Sequence, residues 1–319
     1  MRLEHFHRLR QQRLSSIRHY DSNQCRYMCL RNGCISKVAP AKPSFRTFEG
    51  RFKETSDHLA QYNHFLPPQR SQLEQRDRID VVLVSPRNPL NIGAVARAMA
   101  NFGFSHLSVV APFEAHWREA HSAVGAPELL ENAHQHSTLA DAVAASTLVI
   151  GTGTLTYRKP EQRVVSLPDL APLIRDEFER SGRIALVFGP EKHGLTRNDL
   201  SLCHLFLEIP TDPQQPSMNL GQAVAVCLYE LAVRGPANDP PIDTKLPPAA
   251  TSGDLELLAK IVEQTMDSAD YIRGSMREGN RHELRLLLRR LAPNASDTRR
   301  LLGLFRRILW RLNPHRGSD

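Results

Sequence analysis

Four short polar stretches in this chain hold the residues with chemical potential. They are SPRNPLNIGAVARAMANFG, GTGTLTYRKPEQR, GPEKHGL and PTDPQQPSMNLGQ, each combining Gly or Pro with small polar side chains. In the last, Ser217, Met218 and Asn219 follow a proline, and Gly221 precedes an apolar helical stripe through Ala223, Val224, Cys227, Leu228 and Leu231. Such residues let a backbone come close to a bound molecule and present N–H, C=O and hydroxyl groups to it. Any one of these stretches is also ordinary turn chemistry for an α/β loop. Four in succession favour a shared site.

Neither GxxxxGK[ST] nor GxGxxG occurs, which argues against a nucleotide polyphosphate or a dinucleotide. The second, third and fourth stretches carry few cations, so their ligand is not strongly anionic and a cationic cofactor fits. Arg87 and Arg97 lie in the first stretch, as expected if an anionic substrate approaches from that side.

The elements that must position these stretches alternate. IDVVLVS from Ile79 is a short apolar run of the kind buried in a parallel sheet, and a helix follows over Asn91 to Phe102, ended by Gly103. Further strands are expected at Leu107–Val110, Leu148–Ile150, Ile184–Phe188 and Leu205–Ile209. Helices are expected near Leu139–Ala145, Asp169–Arg180 and Asn219–Arg234. The pattern is α/β with a parallel sheet, and in such sheets ligands bind where loops leave the carboxyl ends of strands. Residues 236–252 are proline-rich and aperiodic, which reads as a linker. Three amphipathic helices follow near Asp254–Ala269, Arg281–Leu291 and Ser296–Leu312, too short to stand alone.

Charge is unevenly distributed over the 319 residues, whose formal net charge is +7. Residues 1–76 carry 14 Lys and Arg against 6 acids, 77–253 carry 14 against 19, and 254–319 carry 13 against 9. Ten arginines and two acids between Arg281 and Arg316 suit a phosphate-bearing partner, although a solvated helix face reads the same way. Residues 1–76 lack periodicity and look like a disordered basic extension. An organelle transit peptide and a start assigned too far upstream both fit its beginning. No stretch reaches the ~18 apolar residues of a membrane span. Cys203 and Cys227 read as small core residues, while Cys25, Cys29 and Cys34 fit no zinc spacing, so no metal is expected and a reducing cytoplasm is the default.

Three stretches together carry a family resemblance. NIGAVARA (Asn91–Ala98), VFGPEKHGL (Val187–Leu195) and PSMNLGQAVAV (Pro216–Val226) resemble the ordered motifs of the SpoU branch of the SPOUT, or α/β-knot, RNA ribose 2'-O-methyltransferases. The likeness covers about Ile79 to Arg234. ELRLLLRRLAPNASDTRRLLGLFRRI further resembles the helical extension of bacterial enzymes that methylate ribose 32 of the tRNA anticodon loop.

The resemblance implies a deep trefoil knot enclosing S-adenosylmethionine, with Thr152, Gly153, Thr154, Gly189, Ile209, Ser217, Met218, Asn219 and Leu220 around it. It implies that Arg97 orients the 2'-hydroxyl or an adjacent phosphate, that Asn91 and Asn219 fix loop geometry, that Glu191 braces the loops and that Ser217 lies near the reacting hydroxyl. Gly221 would relieve crowding there.

RNA contacts are expected from Arg87, Arg158, Arg285, Arg289, Arg299 and Arg306. The expected assembly is a homodimer with RNA as partner, most simply tRNA at position 32, and no DNA or membrane. Alternatives are the same chemistry on ribosomal RNA or the wobble ribose, and a non-catalytic RNA-binding knot protein. Leu155 stands where the ribose-32 enzymes carry an arginine, a departure that bears on the RNA target and not on the chemistry.

Overall fold

In the computed structural model, residues 75–119, 125–156, 158–234, 246–271 and 276–313 are described. The expectations for residues 1–74, including Cys25, Cys29 and Cys34, lie outside them.

Seven parallel strands form one sheet: β1 (Ile79–Val84), β2 (His106–Val110), β3 (His134–His136), β4 (Leu148–Gly153), β5 (Arg163–Ser166), β6 (Ile184–Phe188) and β7 (Leu205–Glu208). Their order is β3-β2-β1-β6-β4-β7-β5. Helices α1 (Pro89–Phe102), α2 (Pro127–Glu131), α3 (Leu139–Ala142), α4 (Leu170–Glu179), α5 (Arg197–Ser201) and α6 (Leu220–Arg234) connect or follow the strands. The period of two sends alternate strand residues into separate layers. Val81 and Leu83 of β1, with Leu186 and Phe188 of β6, pack beneath Ile92, Met99, Val224 and Leu228 of α1 and α6. Val82 and Val84, with Val187, meet Leu195, Cys203 and Phe206 on the opposite face. A sheet covered on both sides explains why IDVVLV is apolar without alternation.

α1 begins as its sequence dictates: the Asn88 side chain accepts from the backbone N–H of Leu90, and Pro89 occupies the first turn, where its missing N–H costs nothing. It stops at Gly103, whose φ of 71° is the left-handed cap that glycine adopts without strain. The two strands missing from the sequence reading are both at sheet edges. β3 is the polar tripeptide HQH, and β5, RVVS, continues what reads as a loop. Edge strands are short and need no apolar run, so they give little signal.

The C-terminal helices are α7 (Ser252–Ser268), α8 (Arg277–Leu291) and α9 (Ala295–Leu312). Leu258, Leu284, Leu288 and Leu302 form their shared small core. They are anchored to the sheet layer as well: Ser252 N–H donates to Ser146 O at 2.7 Å and Gly253 N–H to Ala144 O at 3.0 Å. The proline-rich stretch read as a linker over 236–252 is therefore not wholly free. Residues 235–245 fall outside the described set, but Pro248 O accepts from Ala295 N–H at 2.9 Å and Ala249 bridges Asn294.

Candidate active site

Strands β1, β6, β4 and β7 are consecutive neighbours in the sheet. Because all are parallel, the four polar loops that follow them emerge side by side at their carboxyl ends. The sequence places each loop after a strand; only the strand order puts them together.

A cleft of about 460 Å³ opens among three of these loops. Thr152, Gly153, Thr154, Gly189, Ile209, Ser217, Met218 and Leu220 all line it, and so does Glu191. Asn219 does not; it turns toward α1. The lining mixes apolar Ile209, Leu220 and Phe188 with the hydroxyls of Thr154, Thr211 and Ser217. Its size and mixture fit a small amphipathic ligand.

Gly189 is required by the chain's own path. A Cβ there would lie 2.2 Å from the Leu195 backbone N and 2.3 Å from the Gly194 carbonyl carbon, because the loop after β6 folds back on itself. Gly194 N–H closes that turn onto Pro190 O at 2.7 Å, with Gly194 at φ +59°. Gly221 also marks a close approach, at a place other than the one expected. Its Cβ would meet the Ala94 Cβ at 2.8 Å, so the crowding it relieves is between α6 and α1, not at the cleft.

Beside the cleft, Glu191 ties the loop after β6 to the start of α1. Its Oε2 accepts from Arg87 N–H at 3.0 Å; its Oε1 accepts from Asn88 N–H at 3.2 Å and from the Asn91 side-chain amide at 2.8 Å. Asn91 Oδ1 accepts in turn from Asn219 Nδ2 at 2.9 Å, and Asn219 Oδ1 caps α6 by accepting from Gly221 N–H at 2.9 Å. Partial burial alone would raise the Glu191 carboxyl, but the Asn91 amide and the surrounding backbone N–H groups outweigh it and hold the group below the usual carboxylate range.

Arg97 stands apart. It is exposed on α1, does not line the cleft of the same chain, and has no hydrogen-bond or ion-pair partner among the described residues.

The six arginines expected at RNA divide evenly. Arg87, Arg299 and Arg306 are exposed. Arg158, Arg285 and Arg289 require correction, because each guanidinium is engaged internally. Arg158 lines the cleft and donates to the carbonyls of His193 and Leu195, strapping the loop after β4 to the loop after β6. Arg285 pairs with Glu256 at 2.7 Å and reaches Asn198 of α5 at 3.1 Å. Arg289 has a side chain only 2% exposed, pairing with Glu256 at 3.1 Å and donating to Ser252 Oγ at 3.3 Å. The strapping role of Arg158 had no signal in sequence, nor had the place of Phe188 and Thr211 in the wall. Leu155 packs against the second core layer. Burial pushes the thiols of Cys203 and Cys227 up to about 12, as expected for core cysteines.

Glu161, His282 and Glu283 are close enough to share an ion, yet Arg197 already stands 2.8 Å from Glu161 and 3.9 Å from Glu283. Nothing there calls for a metal.

A parallel sheet in this order, with loops folded back around a cleft at the carboxyl ends of its central strands, defines an α/β-knot methyltransferase fold. The profile of the SpoU rRNA Methylase family matches residues 78–229. The chain belongs to that family. It is 34% identical over 246 residues to the tRNA (cytidine/uridine/adenosine-2'-O-)-methyltransferase TrmJ of Pseudomonas aeruginosa, covering 73% of this chain and 93% of that protein. The tRNA (cytidine/uridine-2'-O-)-methyltransferase TrmJ of Citrobacter koseri is 34% identical over 239 residues, covering 72% and 94%. The crystal structure of TrmJ from Z. mobilis superposes with a TM-score of 0.63 at 29% identity, over 72% of this chain and 98% of that one.

Proposed function

We propose that this protein methylates a ribose 2'-hydroxyl of RNA, using S-adenosylmethionine, and that its substrate is tRNA at anticodon-loop position 32. The observation that carries the reading is the hydrogen-bonded chain Glu191–Asn91–Asn219 beside a cleft lined by eight residues that the resemblance assigns to the cofactor. The C-terminal helices and the tRNA methyltransferases among the relatives support the choice of substrate.

The cleft suits this cofactor by its chemistry: apolar walls for an adenine, with hydroxyls and loop backbone for the sugar and amino-acid portions. When bound, the cofactor supplies an electrophilic methyl group on a sulfonium. The chain's own part is to hold the acceptor hydroxyl in line and favour loss of its proton. Glu191, Asn91 and Asn219 keep the loops and the two helix starts in register. Ser217 lies in the cleft wall toward the acceptor, and Arg97 receives the hydroxyl or adjacent phosphate.

Because Arg97 does not line its own chain's cleft, we place it at the cleft of a second copy, in a homodimer formed through α1 and α6. Exposed Val226, Tyr229 and Val233 on α6 supply the apolar face such contact needs. Residues 77–235 are then the catalytic domain and 253–319 the RNA-contacting extension, and the protein works in the cytoplasm with its substrate. A dimer by light scattering that Tyr229→Glu and Val233→Glu convert to monomers, with loss of transfer, is the expected outcome; a monomer with full activity would refute the arrangement.

The decisive test incubates the protein with methyl-labelled S-adenosylmethionine and unmodified tRNA, then maps the label. A 2'-O-methylated nucleotide at position 32 is expected. Label only in ribosomal RNA or at the wobble ribose would move the target, and cofactor binding without transfer to any RNA would leave the binding-only alternative.

A further inference from the structure

Four of the five arginines of α8 are paired with carboxylates, whereas among the described residues those of α9 are not. On α8, Arg277 pairs with Asp267, Arg281 with Glu263, and Arg285 and Arg289 with Glu256. On α9, Arg300, Arg306, Arg307 and Arg311 are exposed and have no carboxylate partner among the described residues.

Within this unneutralised surface sits Trp310, 54% exposed at the outer side of α9. The guanidinium of Arg307 lies 4.4 Å from its ring centroid and that of Arg311 5.6 Å. The two arginines, three residues before and one after, border the indole on the helix surface. Leu304 and Ile308 are exposed on the same helix. An indole exposed this far gives up apolar burial, and the two guanidinium contacts offset only part of it. Flanked by cations that rest on its ring and pair with no carboxylate among the described residues, it matches the chemistry of a flat, π-faced group attached to a negatively charged backbone.

We propose that Trp310 is a stacking platform for an unpaired nucleobase of the bound RNA, with Arg306, Arg307 and Arg311 holding the flanking phosphates. The inference rests on the RNA reading above and adds a recognition residue far in sequence from the chemistry. Stacking tolerates any base, so the platform selects for a splayed nucleotide over a duplex and not for sequence. Charge complementarity favours this occupant over a protein partner, since Arg306, Arg307 and Arg311 have no carboxylate partner among the described residues.

The test uses the full chain and an unmodified tRNA transcript. Trp310 is one of two tryptophans, and the other, Trp117, is fully buried. Saturation with tRNA is expected to quench the exposed tryptophan emission, and Trp310→Phe to remove that quench while retaining most of the affinity. Trp310→Ala should weaken tRNA binding on the order of ten-fold, in line with base–aromatic stacking, and leave S-adenosylmethionine affinity unchanged.

Three results would overturn the inference: no quench, equal affinity of Trp310→Ala and the parent, or a change of oligomeric state in Trp310→Ala, which would make the indole a protein contact. A protein that methylates tRNA but gives any of these results loses the platform and keeps its proposed function. A protein that neither binds nor methylates RNA loses the function itself.

Discussion

The Asn91 side chain donates to Glu191 at 2.8 Å and accepts from Asn219 at 2.9 Å. A single amide thus fixes the start of α1 to the loop after β6 on one side and to the start of α6 on the other. Both partners are needed, because the amide has one donating and one accepting end to satisfy across the three segments.

Glu191→Gln tests the carboxylate end. Two oxygens accept three N–H groups there, and in either orientation the new amide NH2 would face a donor. The variant is expected to lose about 1 kcal/mol of stability, read by urea unfolding, and to reduce turnover through misplaced loops. The Glu191 carboxyl is held below its ordinary value, so its stabilisation is present above the unfolded carboxylate pKa and is lost as pH falls through the lower folded value. The gap between parent and variant should therefore close below about pH 4. A gap that persists to lower pH would show that charge is not the cause.

Arg97→Ala is expected to lower methyl transfer by about 10²-fold or more, as for loss of a group that stabilises developing charge. S-adenosylmethionine binding by calorimetry should be unchanged, since the role proposed for Arg97 is at the acceptor hydroxyl and it is not among the residues lining the cofactor cleft. Loss of cofactor binding without a specific effect on transfer would remove Arg97 from the reaction.

Arg289 and Arg306 should behave as opposites. Arg289→Ala leaves Glu256 paired with Arg285 alone and opens a cavity where the buried guanidinium stood, and is expected to cost about 1–3 kcal/mol for the lost charged hydrogen bonds. Arg306→Ala should leave the unfolding midpoint in place and reduce the slope of log K for RNA against log salt by about 1. If Arg289→Ala proves stable and reduces that slope, its inward placement is wrong.

His204, just before β7, supplies a pH-dependent element. Val149 N–H donates to its Nδ1 at 3.1 Å, and burial, helped by the charge of Arg289, lowers its pKa to about 3 from 6.5. The folded state then binds fewer protons than the unfolded one between those values, so stability rises with pH through that window and is lost on acidification. His204→Asn, whose Oδ1 can take the place of Nδ1, should flatten the melting temperature between about pH 6.5 and 4. An equally steep acid limb would assign it to other groups.

Much of this arrangement is legible in sequence because the sheet is covered on both faces. β1 and β6 announce themselves as unbroken apolar runs, α1 carries its cap residues at both ends, and the three family motifs fall where strands meet loops. What sequence could not supply is adjacency. Arg289 and Arg306 belong to the same basic tract, and only the placement of Glu256 on α7 decides that one is a bracket and the other a free cation. Gly221 is likewise visible as an oddity at a helix start, while the neighbour that requires it, Ala94, comes from a helix far away in the chain.

The order β1-β6-β4-β7-β5 has a further consequence for how the chain comes off the ribosome. β4 is made before either of its neighbours, and β5 pairs only with β7, the last strand of all. The growing polypeptide must carry both with their backbone groups unpaired until residues 184 to 208 arrive, and β6 must then enter between two strands already synthesised. Assembly of this sheet cannot proceed in step with translation; it waits for its centre to be delivered late.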